Sequence, residues 1–311
     1  MNTSPYMPLY PQQEVNLMPL DQSLVGFETP PVMGEIRADD VRAFSDAIGD
    51  LNPIYRDLAA AQAAGFANIP APPTFVTRFH VQFADVGLDP ARSQVLHGEQ
   101  EYSYMRPLLV GETVTARYRV AALRQSARAG GMAILTLEQL CDTADGERVV
   151  TGKSVIIVRD QAPGEGAAGS AASAAKPASA TPEGMAIPTL TKHVTQEQIN
   201  AYADVSGDHN PIHLDPAAAR AVGLDGTIAH GMLSMAFLGQ TLTDWLASLA
   251  TPGAFVERLR VRFQGMVRPG DTISCQGVLG ANEQGLRHVD LWIANQRGER
   301  VTTSDADARL S

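Results

Sequence analysis

The sequence predicts an α+β chain built from two copies of one unit, each an antiparallel sheet wrapped around a single buried helix. Three observations predict it. The chain aligns with itself without a gap when Val41 to Thr74 is laid on Ile199 to Met232, and "MRPLLVGET" ending at Thr113 parallels "MVRPGDT" ending at Thr272. Self-similarity at one long fixed offset marks duplicated domains, because a solenoid would repeat at a much shorter period. The run from Met232 to Leu249 is apolar on nearly every side, as a helix enclosed by protein must be. Behind it, "FVERLRVRFQGM", "DTISCQGVL" and "LRHVDLWIAN" have strand character and are separated by Gly, Asn and Pro.

In chain order, residues 1–31 have no counterpart in the second copy and form an amino-terminal extension. The first copy occupies 32–159. Residues 160–184, "DQAPGEGAAGSAASAAKPASATPEG", are Ala, Gly, Ser and Pro with no apolar periodicity. Such a stretch buries too little to offset its ordering entropy and reads as a flexible linker. The second copy, 185–311, opens with "TQEQINAYADVSGD". Thr195 and Gln198 stand in capping-box spacing there, and Ile199, Tyr202 and Val205 recur at helical intervals. A second short helix is expected near "DPAAARAVGL". In the first copy the corresponding apolar helix is expected near Phe75 to Val86.

The bulk numbers exclude several classes. At 311 residues the chain exceeds what one core usually fills, and 44% hydrophobic with 19% charged residues suits globular domains. A formal net charge of -10 argues against a nucleic-acid partner, since duplex binding depends on clustered Lys and Arg. Cys141 and Cys275 match neither a disulfide framework nor a zinc spacing and read as reduced core residues. The first thirty residues lack a secretory pattern, and no run reaches the roughly 18 apolar residues needed to span a bilayer. A cytoplasmic protein without a membrane partner is expected.

The chemistry concentrates in "SGDHNPIH", Ser206 to His213. The first copy writes "IGDLNPIY" at Ile48 to Tyr55, keeping the acid, the Asn and the Pro while losing both histidines. On an α-helix Asp208 and His213 would lie about 140° apart. Pro211 disfavours the helical conformation for Asn210, so a loop is expected that can turn acid and imidazole toward one point. Asp and Asn before Pro also close turns with their own side chains, and Asp50 and Asn52 are expected to do that much. For Asn210, loop fixing and substrate contact both stay open. His213 is the sharper signal, because its replacement by Tyr55 in a matched loop suggests that one copy kept a site and the other lost it. An ordinary satisfied histidine is the alternative.

Gly231, in "AHGMLS", enters the buried helix where unpaired N–H groups carry partial positive charge, so it is a candidate donor to a developing oxyanion. The first copy has "APPT", whose prolines remove such donors. His209 and His230, which become Leu51 and Pro72 in the first copy, make a possible metal set with Asp215. Pro211 interrupts the helical spacing and no cysteine supports the group, so no metal is expected and His209 and His230 read as ordinary imidazoles. Arg258, Arg260 and Arg262 alternate along one strand face, either as a solvated face or as contacts to ligand phosphates.

Taken together, "YADVSGDHNPIHLDPAAARAVGLDGTIAHGML" resembles the signature of the MaoC-like hydratase/dehydratase family, whose members include the (R)-specific, type 2 enoyl-CoA hydratases. "GDLNPIY" and "PAPPTF" resemble the degenerate amino-terminal half of its two-domain members. The resemblance implies a double hotdog fold. It implies Asp208 and His213 as catalytic dyad, Gly231 as oxyanion donor and Asn210 as a substrate contact. It implies no cofactor, and as partners an acyl-CoA or acyl-carrier-protein thioester, with a homodimer left open. The implied reaction is reversible hydration of trans-2-enoyl thioesters to (R)-3-hydroxyacyl thioesters. The degenerate half would then accommodate the acyl chain. The rivals are a non-catalytic thioester-binding subunit, which predicts an emptied second loop, and a hotdog thioesterase.

Overall fold

The computed structural model describes residues 20–81, 83–86, 88, 93–126, 132–160 and 184–310. Most of the extension and of the linker, residues 1–19 and 161–183, lies outside the described residues. The end of the extension docks on the first copy. Leu24 is fully buried, and Gly26 N–H donates to the Val120 carbonyl at 2.8 Å.

The first copy runs β1 (Val32–Glu35), α1 (Ala38–Ala47), α2 (Leu58–Ala63), β2 (Ser93–Tyr104), β3 (Thr113–Ser126), β4 (Met132–Thr143) and β5 (Arg148–Asp160). The second runs β6 (Met185–Ala186), β7 (Leu190–His193), α3 (Gln196–Ser206), α4 (Pro211–Leu214), α5 (Pro216–Ala221), α6 (Gly231–Ser248), β8 (Phe255–Phe263), β9 (Thr272–Glu283), β10 (Leu286–Ala294) and β11 (Arg300–Arg309). All described strands join one sheet in the order β1-β3-β4-β5-β2-β8-β11-β10-β9-β6, with β7 also on β9. The two copies therefore share a sheet. Their seam is the antiparallel pair β2 and β8, which sets Glu99 opposite Arg262 and Glu101 opposite Arg260.

Strand patterning sets which face turns inward. Along β4 buried and partly exposed residues alternate through most of the strand, the period-2 signature of a sheet with one covered face. On β8, Val256, Leu259 and Val261 are buried although the first two are three apart. The pairing with β11 explains it: the register slips between Asp307 and Ala308, leaving Glu257 as the extra residue of a bulge.

The second copy has the buried helix the sequence predicts. Every residue of α6 from Met232 to Leu242 is buried, and the helix packs against β8, β9 and β10. Among its described residues the first copy does not. In place of the expected helix near Phe75 to Val86 stand two short 3-10 turns, Phe75–Arg78 and Phe83–Val86. Composition accounts for the difference. Eight of the twelve residues from Phe75 to Val86 are Phe, Val, Thr or His, which lose rotamer freedom in a helix, whereas α6 is rich in Leu, Met and Ala. Among the described residues no helix is long and apolar enough to cross a membrane.

Candidate functional site

The site begins where α3 ends. Thr195 Oγ1 accepts from Gln198 N–H at 3.2 Å to start the helix, and Gly207 ends it in the left-handed region at φ +81°. That backbone favours glycine. Close packing adds to the requirement, because a Cβ on Gly207 would fall 2.9 Å from the His80 ring of the first copy.

The next residues fold through their own side chains. Asp208 Oδ1 accepts from Asn210 N–H at 3.1 Å, and Asn210 Oδ1 accepts from Ile212 N–H at 3.3 Å. Asp50 and Asn52 make the same bonds at 2.9 and 3.2 Å, and both asparagines hold nearly one backbone conformation, φ -57° and ψ 124° for Asn52 against φ -56° and ψ 124° for Asn210. Turn building by these residues is thus common to both copies. The expected loop is corrected at one point: Pro211 does not prevent a helix but opens one, α4, as its first residue. At that position the missing N–H would have no helical partner anyway, and the fixed φ suits the turn.

That single turn carries His213 inward. Its Nδ1 bonds the Ile228 carbonyl at 2.8 Å, and Ile228 N–H returns to the Ile212 carbonyl at 3.3 Å. Gln196 clamps the turn from α3, donating to the His213 carbonyl at 2.8 Å while accepting from Thr227 Oγ1 at 2.6 Å. A carbonyl only accepts, so Nδ1 carries the proton of neutral His213 and Nε2 keeps its lone pair. Ligating atoms of Asp208, His213 and His230 lie within 4.8 Å of one another. The acid and imidazole singled out from the sequence do converge.

His230 has a part the sequence reading missed. It is the residue before α6, its Nε2 donates to the Asp208 main-chain carbonyl at 2.9 Å, and its ring lies 3.8 Å from that of His213, the planes 32° apart. The available signal was the contrast that marked His213, since Pro72 replaces it in the first copy. The three side chains have the donor types of a metal site. One nitrogen of each ring is engaged by a main-chain carbonyl, leaving the other as an acceptor. His209 is exposed and weakly paired with Asp204 at 3.4 Å.

Electrostatics fixes the protonation states. Burial pushes His213 down, and the nearby Asp208 charge and the Ile228 carbonyl offset this only in part. Burial, then His213, pushes His230 down to about 4. Burial pulls Asp208 up, but His230, His213 and the Asn210 N–H outweigh it and hold the carboxyl below its ordinary value. At neutral pH the site therefore presents a carboxylate beside a neutral imidazole, two acceptors for one water molecule.

These groups face a cavity of about 700 Å³. Asp208, Asn210, His213 and Gly231 line one side, and Tyr102, Tyr118, Leu137 and Ile156 of the first copy line the other. At Gly231 the N–H is the first of α6 and has no carbonyl one turn earlier to bond. A Cβ there would sit 3.2 Å from the Phe263 ring, so glycine keeps this approach open. His80 and His97 of the first copy also reach the wall. The three arginines do not. Arg258 pairs with Asp305 and Asp307 at 2.6 and 2.7 Å, and Arg260 and Arg262 pair with Glu99 at 2.9 and 2.7 Å. None of the three lines the cavity, because alternation along β8 turns them away from its buried face.

Comparison with known proteins accords with this geometry. Residues 178–296 match the MaoC like domain, and residues 23–152 match the FAS1-like dehydratase domain region. A UPF0336 protein of Saccharopolyspora erythraea is 38% identical over 153 residues, 47% of this chain and 95% of that protein. Among solved structures, a MaoC-like dehydratase superposes with a TM-score of 0.78 at 22% identity, covering 93% of this chain and 99% of the other. A protein of Mycobacterium tuberculosis described as having a double hotdog fold superposes with a TM-score of 0.66 at 14% identity, over 92% and 96% of the two chains.

Proposed function

This chain belongs to the MaoC-like dehydratases and is a relative of the UPF0336 proteins, and from that premise we propose that it reversibly hydrates trans-2-enoyl thioesters to (R)-3-hydroxyacyl thioesters. The observation that carries the reading is the meeting of the Asp208 carboxylate and the His213 imidazole, its Nδ1 held by the Ile228 carbonyl, on one wall of a cavity beside the first N–H of α6. The emptied loop expected of a non-catalytic subunit is absent from the second copy.

A water molecule between the two acceptors donates a hydrogen to each. Its oxygen adds to C3 of the enoyl group as the pair takes one proton, and the electrons of the C2–C3 double bond move onto the thioester oxygen. Gly231 N–H meets that developing charge. The proton then passes from the pair to C2, completing the addition, and dehydration runs the same steps backwards. General acid–base help is typically worth about 10² to 10⁴ in rate, and one oxyanion donor roughly 10² to 10³. Either group of the pair can hold the proton in transit, since neighbouring titrating groups share their protons.

The first-copy wall supports placement of the acyl chain there. With no central helix among the described residues of that copy, the inner faces of β2, β3, β4 and β5 are left to contact substrate through Tyr102, Tyr118, Leu137 and Ile156. The buried free thiols Cys141 and Cys275 fit a reducing compartment such as the cytoplasm.

Hydration of crotonyl-CoA, read as loss of the conjugated enoyl absorbance, tests the reading. Asp208→Asn and His213→Ala should each lower the rate by about 10² to 10⁴. Folded variants at full rate would overturn the site. Release of free CoA thiol without hydration would identify a thioesterase instead.

A further inference from the structure

The molecule holds a second cavity, of about 330 Å³, which shares no lining residue with the first. Its position is not arbitrary. Under the internal repeat, Ile54 and Phe66 in its wall take the places of Ile212 and Leu224 in the larger cavity, and Tyr55 and Pro73 take those of His213 and Gly231. It is the counterpart, in the first copy, of the candidate active site.

The chemistry has been removed while the space remains. Tyr55 replaces the imidazole, and its buried hydroxyl is engaged by Thr243 of α6. Pro72 and Pro73 have no N–H to offer an oxyanion. Among the described residues no charged side chain lines the cavity, and Leu246, Phe255 and Val256 of the second copy close it from the opposite side. The Tyr104 hydroxyl is buried in the wall without a hydrogen-bond partner, a state that a bound polar group or water would relieve. Exposed Ala247 and Ala250 lie at its rim, so the space is reachable from solvent.

Size favours a ligand. An engineered lysozyme cavity of about 150 Å³ stays dry and binds benzene, and ordinary ligand pockets begin near 300 Å³. An uncharged apolar wall selects an apolar chain whose polar head stays outside.

We propose that this cavity is a second, non-catalytic binding site for an acyl chain. Titration calorimetry with decanoyl-CoA and with decanoate tests it, because neither saturated chain can be hydrated and neither carries a 3-hydroxyl to lose. Ala64→Trp and Ala254→Trp fill the space from the first and second copies respectively, and neither residue belongs to the dyad or its cavity. Each variant should lose one equivalent of chain, or bind it at least about tenfold more weakly, while keeping its thermal melt. Loss with decanoate as well as with decanoyl-CoA identifies the chain itself as the determinant, and loss with decanoyl-CoA alone identifies the thioester. Binding unchanged in both variants, or absent from the wild type, overturns the proposal. Wild-type crystals soaked in 10-bromodecanoate answer without substitution: a bromine peak between Tyr55 and Phe255 is expected, and none there overturns it.

Discussion

His213 and His230 stand ring against ring, centroids 3.8 Å apart and planes tilted by 32°, while His230 Nε2 also holds the main-chain carbonyl of Asp208. One side chain thus touches both members of the dyad. His230 is a positioning residue, so its loss should lower kcat more than it changes KM. Misplacement of reacting groups by about 1 Å can cost 10²-fold. His230→Ala is expected to approach that loss, and His230→Phe, which keeps a ring on His213 but cannot donate to Asp208, to fall between it and the wild type. Steady-state kinetics on crotonyl-CoA checks the order, and wild-type kcat in both variants would remove His230 from the account.

The vestigial acid should leave a mark on stability. Burial, aided by the Asp244 charge, raises Asp50 from 3.8 to about 6 against the Asn52 N–H, Lys192 and Arg56. The folded form then binds more protons than the unfolded form across that window. Its contribution is fully present below pH 3.8 and is lost as pH rises through 6, a change of about 3 kcal/mol. Asp50→Asn cannot titrate, so its stability relative to wild type should rise between pH 4 and pH 7. Urea denaturation at both values measures the difference, and a constant difference would contradict the assignment.

The arginines of β8 should matter little to substrate. Arg262 is more than half exposed and its pairing with Glu99 lies on the outer face of the seam between the copies. Exposed ion pairs typically contribute about 0.2 to 1 kcal/mol. Arg262→Ala is therefore expected to leave KM for crotonyl-CoA unchanged and to lower stability by less than about 1 kcal/mol. A several-fold rise in KM would restore the phosphate-contact reading.

What could be read from the sequence was local, and what could not was not. The Asp-x-Asn-Pro turn builds itself from side chains two residues apart, so its recurrence and its likeness between copies were legible. The loss of the first buried helix was not, since Phe75 to Val86 is apolar enough for a helix and only propensity argues against one. The role of His230 depends on a carbonyl 22 residues earlier, and that of Arg260 on Glu99, 161 residues away. Partners at such distances are fixed by how strands and loops stack, which spacing does not encode. Pro211 does keep Asn210 out of the helical conformation, but the short helix it opens was not legible, because proline both breaks helices and begins them and only its place relative to the cap decides.

The pH behaviour of the dyad follows from which group sits beside which. Burial lowers His213, and the Asp208 carboxylate is the largest influence opposing that fall. Acid protonates Nε2 and removes one acceptor for water, so the acid limb of kcat/KM should lie below the ordinary histidine value of about 6.5. Asp208→Asn takes away the opposing charge. His213 in that variant should therefore titrate at lower pH than in the wild type, which imidazole NMR can follow even where turnover is too slow to measure. A titration that moves upward, or does not move, would mean that the carboxylate and the imidazole do not face each other in solution.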